Sequence, residues 1–173
     1  MCNSLLAPAV VSDKPLPENS AALSRLHAAI SHAKSSPQPT PAGMMPGTGE
    51  HISGRVYEVE QNPLGLETMK LEFSSEGATL WLTFQGGRKE QHDVGLGGVP
   101  HISQGEKFDF PVGVRGRWES VDTFVLDYDS IANIDSYTLR LKFQGDDLRI
   151  DGMEASRPGQ FVLKARVLTH ASP

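Results

Sequence analysis

Ser31-His32-Ala33-Lys34 is the stretch that comes nearest to a reactive centre. It sets a hydroxyl and an amine one helical turn apart, the S-x-x-K spacing in which the amine can take the hydroxyl proton. The remaining parts of such a site are missing: the chain has no Lys-Thr-Gly or His-x-Gly strand motif, no Ser-Asp-Asn and no Tyr-x-Asn. The pair also falls at the solvated end of a short helix, where nothing withdraws the Lys34 amine from water. It reads as a chance match, and no catalytic residue is assigned. There is no G-x-S-x-G elbow, and Cys2 has no histidine held beside it.

The six histidines (27, 32, 51, 92, 101 and 170) include one close pair, His27 and His32, and no H-E-x-x-H. They read as surface side chains, and neither a metal nor a cofactor is expected. Asp127-Tyr128-Asp129 and Asp146-Asp147 lack the glycine and terminal glutamate of a calcium loop, so they read as solvated turn carboxylates. Gly95-Leu96-Gly97-Gly98-Val99-Pro100 runs into proline rather than a helix N-terminus, which makes it a rim loop and not a phosphate cradle. In Arg115-Gly116-Arg117-Trp118 the indole is expected to close the end of a barrel. The two arginines should face solvent or pair with Glu119 and Asp122.

The elements that must position these residues follow from composition. The chain of 173 residues carries 16 Lys+Arg against 21 Asp+Glu, a formal charge of −5, which offers no general field for nucleic acid. A single cysteine excludes an internal disulfide framework, and no apolar run reaches the length of a membrane span. All 12 aromatic residues follow residue 50, whereas seven of the 12 prolines precede it. A proline-rich segment without aromatics buries too little apolar surface to offset its conformational entropy. Residues 1–50 are therefore expected to be an arm rather than a domain. Within it, Leu23, Leu26, His27 and Ile30 recur at helical spacing after an Asn19 or Ser20 cap, predicting an amphipathic helix over about 19–34. A Pro/Ser-rich linker is expected over 35–50.

From residue 51 the period changes from 3.6 to 2. Met69-Leu71-Phe73, Leu80-Leu82-Phe84, Phe124-Leu126-Tyr128 and Tyr137-Leu139-Leu141-Phe143 alternate with more polar neighbours. Weaker alternation marks Tyr57/Val59, Phe108/Phe110, Leu148/Ile150 and Phe161 to Val167. Glycine- and asparagine-rich turns separate the runs at short intervals, among them Asn62 to Gly65, Gly86-Gly87, Gly113 to Gly116 and Gly145 to Asp147. The predicted fold is mainly β. Residues 51–173 form an antiparallel up-and-down meander of about eight to ten strands closing into a lipocalin-like barrel. Tyr57, Trp81, Trp118, Phe124, Tyr137 and Phe143 are the candidate interior or ligand residues. So many large side chains favour a filled interior over an open pocket.

Three stretches carry a family resemblance. These are Leu16 to Leu26, then Ile52 to Tyr57 running on into Asn62-Pro63-Leu64-Gly65-Leu66, and finally Gly116 to Leu126 together with Tyr137 to Phe143. The order resembles the C-terminal portion of bacterial class C β-lactamase-like serine hydrolases, with its helix, linker and appended β-domain. The resemblance implies a non-catalytic accessory domain, packing on or gating a hydrolase core absent from this chain, so that the chain is a remnant or a fragment. No family catalytic residue maps onto any position here. The implied partner is a serine hydrolase core or a second copy of the chain, with neither nucleic acid nor membrane involved. Leu5 to Val11 is short, interrupted by Pro8 and lacks a basic lead, so no signal peptide is expected. The alternative is a lipocalin-like binder of a small apolar molecule, which a continuous cavity of roughly 300 Å³ or more supports and a solid interior excludes.

Overall fold

The computed structural model describes residues 18–34, 44–75, 77–104, 110–131, 135–155 and 159–169. The chain divides into two compact units, Met1–Pro37 and Gln38–Pro173. Helix α1 (Ser20–Lys34) belongs to the first. Asn19 caps it, with Oδ1 accepting the Ala22 N–H at 2.9 Å and the backbone carbonyl accepting the Leu23 N–H at 2.9 Å. His32 and Lys34 in the last turn complement the negative end of the helix dipole. Its Leu23, Leu26 and Ile30 stripe is exposed, as are Ser31 and Lys34. No helix among the described residues is long and apolar enough to cross a membrane.

The expected linker departs from the structure at its far end. Residues 35–43 lie outside the described residues, but Gly47–Ile52 forms a short helix, α2. Ile52 is buried to 1% exposure, and Gly49 packs so near Met45 and Trp118 that a Cβ there would collide with both. Proline and glycine spacing alone gave no reason to expect a helix whose one large apolar residue is a barrel stopper.

Ten antiparallel strands follow: β1 (Val56–Val59), β2 (Leu66–Phe73), β3 (Ala78–Phe84), β4 (Lys89–Val94), β5 (His101–Gln104), β6 (Pro111–Trp118), β7 (Thr123–Ser130), β8 (Ser136–Gln144), β9 (Asp147–Glu154) and β10 (Gly159–Val167). They form one sheet in the order β4-β3-β2-β1-β10-β9-β8-β7-β6-β5, so the first and last strands pair and the free edges are β4 and β5. Each sequence neighbour is a hairpin partner, apart from β4 and β5. This is the nearly closed up-and-down barrel that the period-2 runs predict. Short turns set the registers. Asn62 organises the β1–β2 turn by donating from Nδ2 to the carbonyls of Glu60 and Leu66 at 2.8 and 2.7 Å. Its Oδ1 accepts the N–H groups of Leu64 and Leu66 at 3.1 and 3.2 Å.

Two expectations are corrected in this region. Gly113 and Gly116, read above as turn residues, lie inside β6. Gly116 faces the interior, where a Cβ would run into the Phe124 ring and Val94, so the strand is bare at this point to admit an aromatic from its neighbour. The weak alternation at Phe108/Phe110 is not a described strand: Phe108 lies outside the described residues, and Phe110 immediately precedes β6.

The interior has two unlike halves. At the α2 end, Phe73, Trp118 and Phe124 stack within 5.0–5.7 Å of one another, centroid to centroid, and Tyr57 meets Phe143 at 5.8 Å. That half is solid. Toward the other end, Leu66, Met69, Leu80, Leu82, Val112 and Leu126 form an aliphatic wall. Along β8, Leu141 is fully buried and Leu139 half-buried, while Arg140 and Lys142 point outward. Leu141→Ala is expected to lower unfolding free energy by about 2–5 kcal/mol. Lys142→Ala should stay within about 0.5 kcal/mol. Urea denaturation of both variants checks the facing assignment, and equal losses contradict it.

Candidate functional site

The aliphatic half holds a partly open cavity of about 270 Å³. Its wall is largely leucine, with Phe84, Phe110 and Tyr137 toward the end that carries the β1–β2, β3–β4 and β7–β8 turns. Polar groups enter it from Arg88, Glu90, Tyr128, Ser130 and Asp135. The volume lies just below the range of about 300–1,000 Å³ usual for small-molecule sites. The interior is therefore filled at one end and hollow at the other, which corrects the single filled core favoured by residue size.

The chemistry concentrates on β4, where Glu90, His92 and Val94 face inward at alternate positions. Glu90 is 5% exposed and His92 1%. Burial alone pushes the Glu90 carboxyl up. A hydrogen bond with His92, the Arg88 charge and the Tyr128 hydroxyl more than offset this, so its pKa falls below the ordinary value and the group is a carboxylate at neutral pH. Arg88 pairs with Oε1. Oε2 lies 3.2 Å from His92 Nε2 and accepts from Tyr128 Oη at 3.1 Å. A carboxylate accepts only, so Nε2 carries the proton. In neutral imidazole, Nδ1 then accepts from Ser103 Oγ on β5, 2.7 Å away. Burial, followed by the Glu90 charge, drives the Tyr128 phenol well above its usual range and keeps it a donor. The His92 and Tyr128 rings meet edge to face with centroids 5.4 Å apart.

Ser103, His92 and Glu90 occur in the order of a hydrolytic relay, but their geometry differs from one. In the relay the serine meets Nε2 and the carboxylate Nδ1. Here the two nitrogens exchange roles, and neither Ser103 nor His92 lines the cavity. The line of hydrogen bonds instead runs across the gap between β4 and β5, where no backbone ladder exists. At the opposite end of the same gap, the Gly95 N–H donates to the Val114 carbonyl at 3.0 Å, and the Gly116 N–H donates to the Gly95 carbonyl at 2.9 Å. The glycine run is thus a seam closure. A side chain on Gly95 would strike the Val99 carbonyl.

The candidate interior residues separate accordingly. Tyr57, Trp118, Phe124 and Phe143 belong to the solid plug, and Tyr137 lines the cavity. Trp81 is the exception, because β3 turns Leu80 and Leu82 inward and leaves Trp81 on the outer face, with the Lys70 ammonium 4.6 Å from its ring centroid. The histidines are not all surface groups, as His92 shows. Arg115 and Arg117 pair with Asp127 at 3.0 and 3.3 Å rather than with Glu119 or Asp122. Asp127 itself lies in β7, not in a turn. No group of three or more potential metal ligands occurs among the described residues. Sequence reasoning missed Glu90 and His92. The only signal was their i, i+2 spacing, ahead of Val94.

No family model matches the chain, and no curated protein matches it. Solved structures do. A fatty-acid-binding protein from Manduca sexta superposes with a TM-score of 0.50 at 14% identity, covering 67% of this chain and 99% of that one. As-p18, an extracellular fatty acid binding protein, gives a TM-score of 0.53 at 8% identity, covering 73% of this chain and 100% of its own. At such identities the likeness is one of fold. It overturns the resemblance to β-lactamase-like hydrolases: the fold neighbours are binding proteins rather than enzymes, and no family match supports a hydrolase origin or a hydrolase partner.

The lowered Glu90 pKa fixes a sign. Its interactions stabilise the fold fully above the unfolded value, about 4.3, and that contribution is lost as pH falls through the lower folded value. Between pH 6 and pH 3, the urea midpoint of Glu90→Gln is expected to fall less than that of the unaltered chain. An identical pH dependence contradicts the assignment.

Proposed function

We propose that this protein binds a small apolar molecule inside the barrel. The cavity of about 270 Å³, walled by leucines inside a nearly closed sheet, carries this reading. An apolar space of this size is unfavourable to leave empty, because its lining loses dispersion contacts, and it is equally unfavourable to fill with water that finds few partners. At about 30 Å³ per water-sized group, the volume suits a ligand of about ten non-hydrogen atoms. The solved barrels of the same fold are named for fatty acids, and a buried apolar chain is the element this cavity shares with that chemistry.

The magnitude follows from burial. Eight methylene-sized groups at about 0.8 kcal/mol each give about 6 kcal/mol before the cost of association. A dissociation constant between about 10 μM and about 1 mM is expected for 1-octanol by isothermal titration calorimetry. Leu139→Trp, which places an indole on the cavity wall, is expected to weaken that binding at least tenfold while unfolding remains cooperative. A chain that takes up no octanol, or a variant that binds it unchanged, contradicts the proposal.

A further inference from the structure

The polar groups of the cavity are not arranged to receive an acid. Arg88 is the one cation among the described residues that line it. It is already doubly engaged, paired with Glu90 and stacked with its guanidinium carbon 3.7 Å from the Phe84 ring centroid. Glu90 is buried and charged, and Asp135 adds a second acid to the wall, so the formal charge of the lining is 1 − 2 = −1. A carboxylate brought here meets Glu90 in a low-dielectric site and must share with it the one cation among the described lining residues.

What the site does offer is acceptors. The Glu90 carboxylate has about four lone-pair directions and uses three, on Arg88, His92 and Tyr128. The Tyr128 proton is committed to Glu90, which leaves the lone pairs of its oxygen open to a donor. The Tyr128 proton and an Arg88 N–H are thus spent on Glu90, while Glu90 and Tyr128 keep acceptor capacity. Sites that hold buried unpaired polar groups discriminate strongly against ligands that cannot satisfy them.

We propose that the cavity selects a neutral apolar molecule ending in a hydrogen-bond donor, a hydroxyl or a primary amide, and rejects the matching carboxylate. Glu90 and Tyr128 are the residues that read the difference. This rests on the binding function proposed above and narrows its ligand class.

The test compares octanamide with octanoate, which match in shape and differ in charge, by calorimetry on the full chain at pH 7.5. Octanamide is expected to bind at least tenfold tighter. Because octanoate is also the better hydrated of the two, the decisive arm is Glu90→Gln, which frees Arg88 and is expected to shrink the preference at least fivefold by strengthening octanoate. Octanoate binding as tightly as octanamide, or a preference unchanged in Glu90→Gln, overturns the inference while leaving the binding function standing. Should Glu90→Gln fail to fold, Arg88→Met decides. A retained octanamide preference supports the proposal, and the loss of substantial octanoate binding identifies Arg88 as an anion site and overturns it. Binding of neither compound, together with no binding of 1-octanol, overturns the inference and the proposed function alike.

Discussion

A ten-stranded barrel needs ten strand boundaries, and backbone ladders supply nine of them. The whole interior depends on how the tenth, between β4 and β5, is held shut. At one end this is done by the backbone of Gly95 reaching past β5 to β6, an approach that tolerates no side chain. At the other end the strands diverge, and the closure passes to side chains, from Ser103 through His92 to Glu90 and Tyr128. Individual hydrogen bonds are worth about 1 kcal/mol net, and those to charged groups about 1.5–3. A boundary held by a few of them opens more easily than a ladder of six or seven backbone pairs. The weakest boundary therefore lies beside the cavity, while the aromatic plug sits where the boundary is backbone-bonded.

That division explains the placement of large and small residues. Around the plug, Phe124 takes the space that Gly116 vacates, Trp118 covers it, and Ile52 and Gly49 of α2 complete the end. The ring contacts there interlock within the barrel at 5.0–5.7 Å between centroids. Past Leu126 leucine, methionine and valine share the wall with Phe84, Phe110, Tyr128 and Tyr137, and the cavity lies between them.

The parts of this arrangement legible in the sequence are those built on one-sided alternation. Tyr137 to Phe143 shows apolar and polar faces so cleanly that its register could be read directly, and α1 announces itself by cap and stripe. The strand that carries the candidate site was illegible for the same reason it matters. Lys89-Glu90-Gln91-His92-Asp93-Val94 has polar residues on both faces, so period-2 hydrophobicity is silent, and only tertiary partners on β5 and β7 make two of those polar groups interior. Likewise, a glycine such as Gly116 signals a turn locally, and the ring that requires its bareness sits eight residues away on β7. Trp81 failed in the other direction: its size suggested the core, but its phase, opposite to Leu80 and Leu82, placed it outside. Phase is the stronger indicator in a strand, since a one-residue shift would reverse every neighbour.

Stability does not account for Glu90. Taking a carboxylate out of water costs several kcal/mol, and although its ion pair and hydrogen bonds more than offset that, apolar residues of similar volume often serve stability as well or better. The seam does not require the charge either: His92 and Ser103 span it, and a neutral amide at position 90 could still accept the His92 N–H. What the charge adds is polarity of a particular sign on the cavity wall. It accepts from His92, holds the Tyr128 proton and pairs with Arg88, so that three donors converge on one carboxylate. An apolar pocket becomes selective only through a few such fixed polar groups. Glu90 and Tyr128 stand on strands and Arg88 in the turn ahead of β4, so their mutual contacts are in place without a ligand.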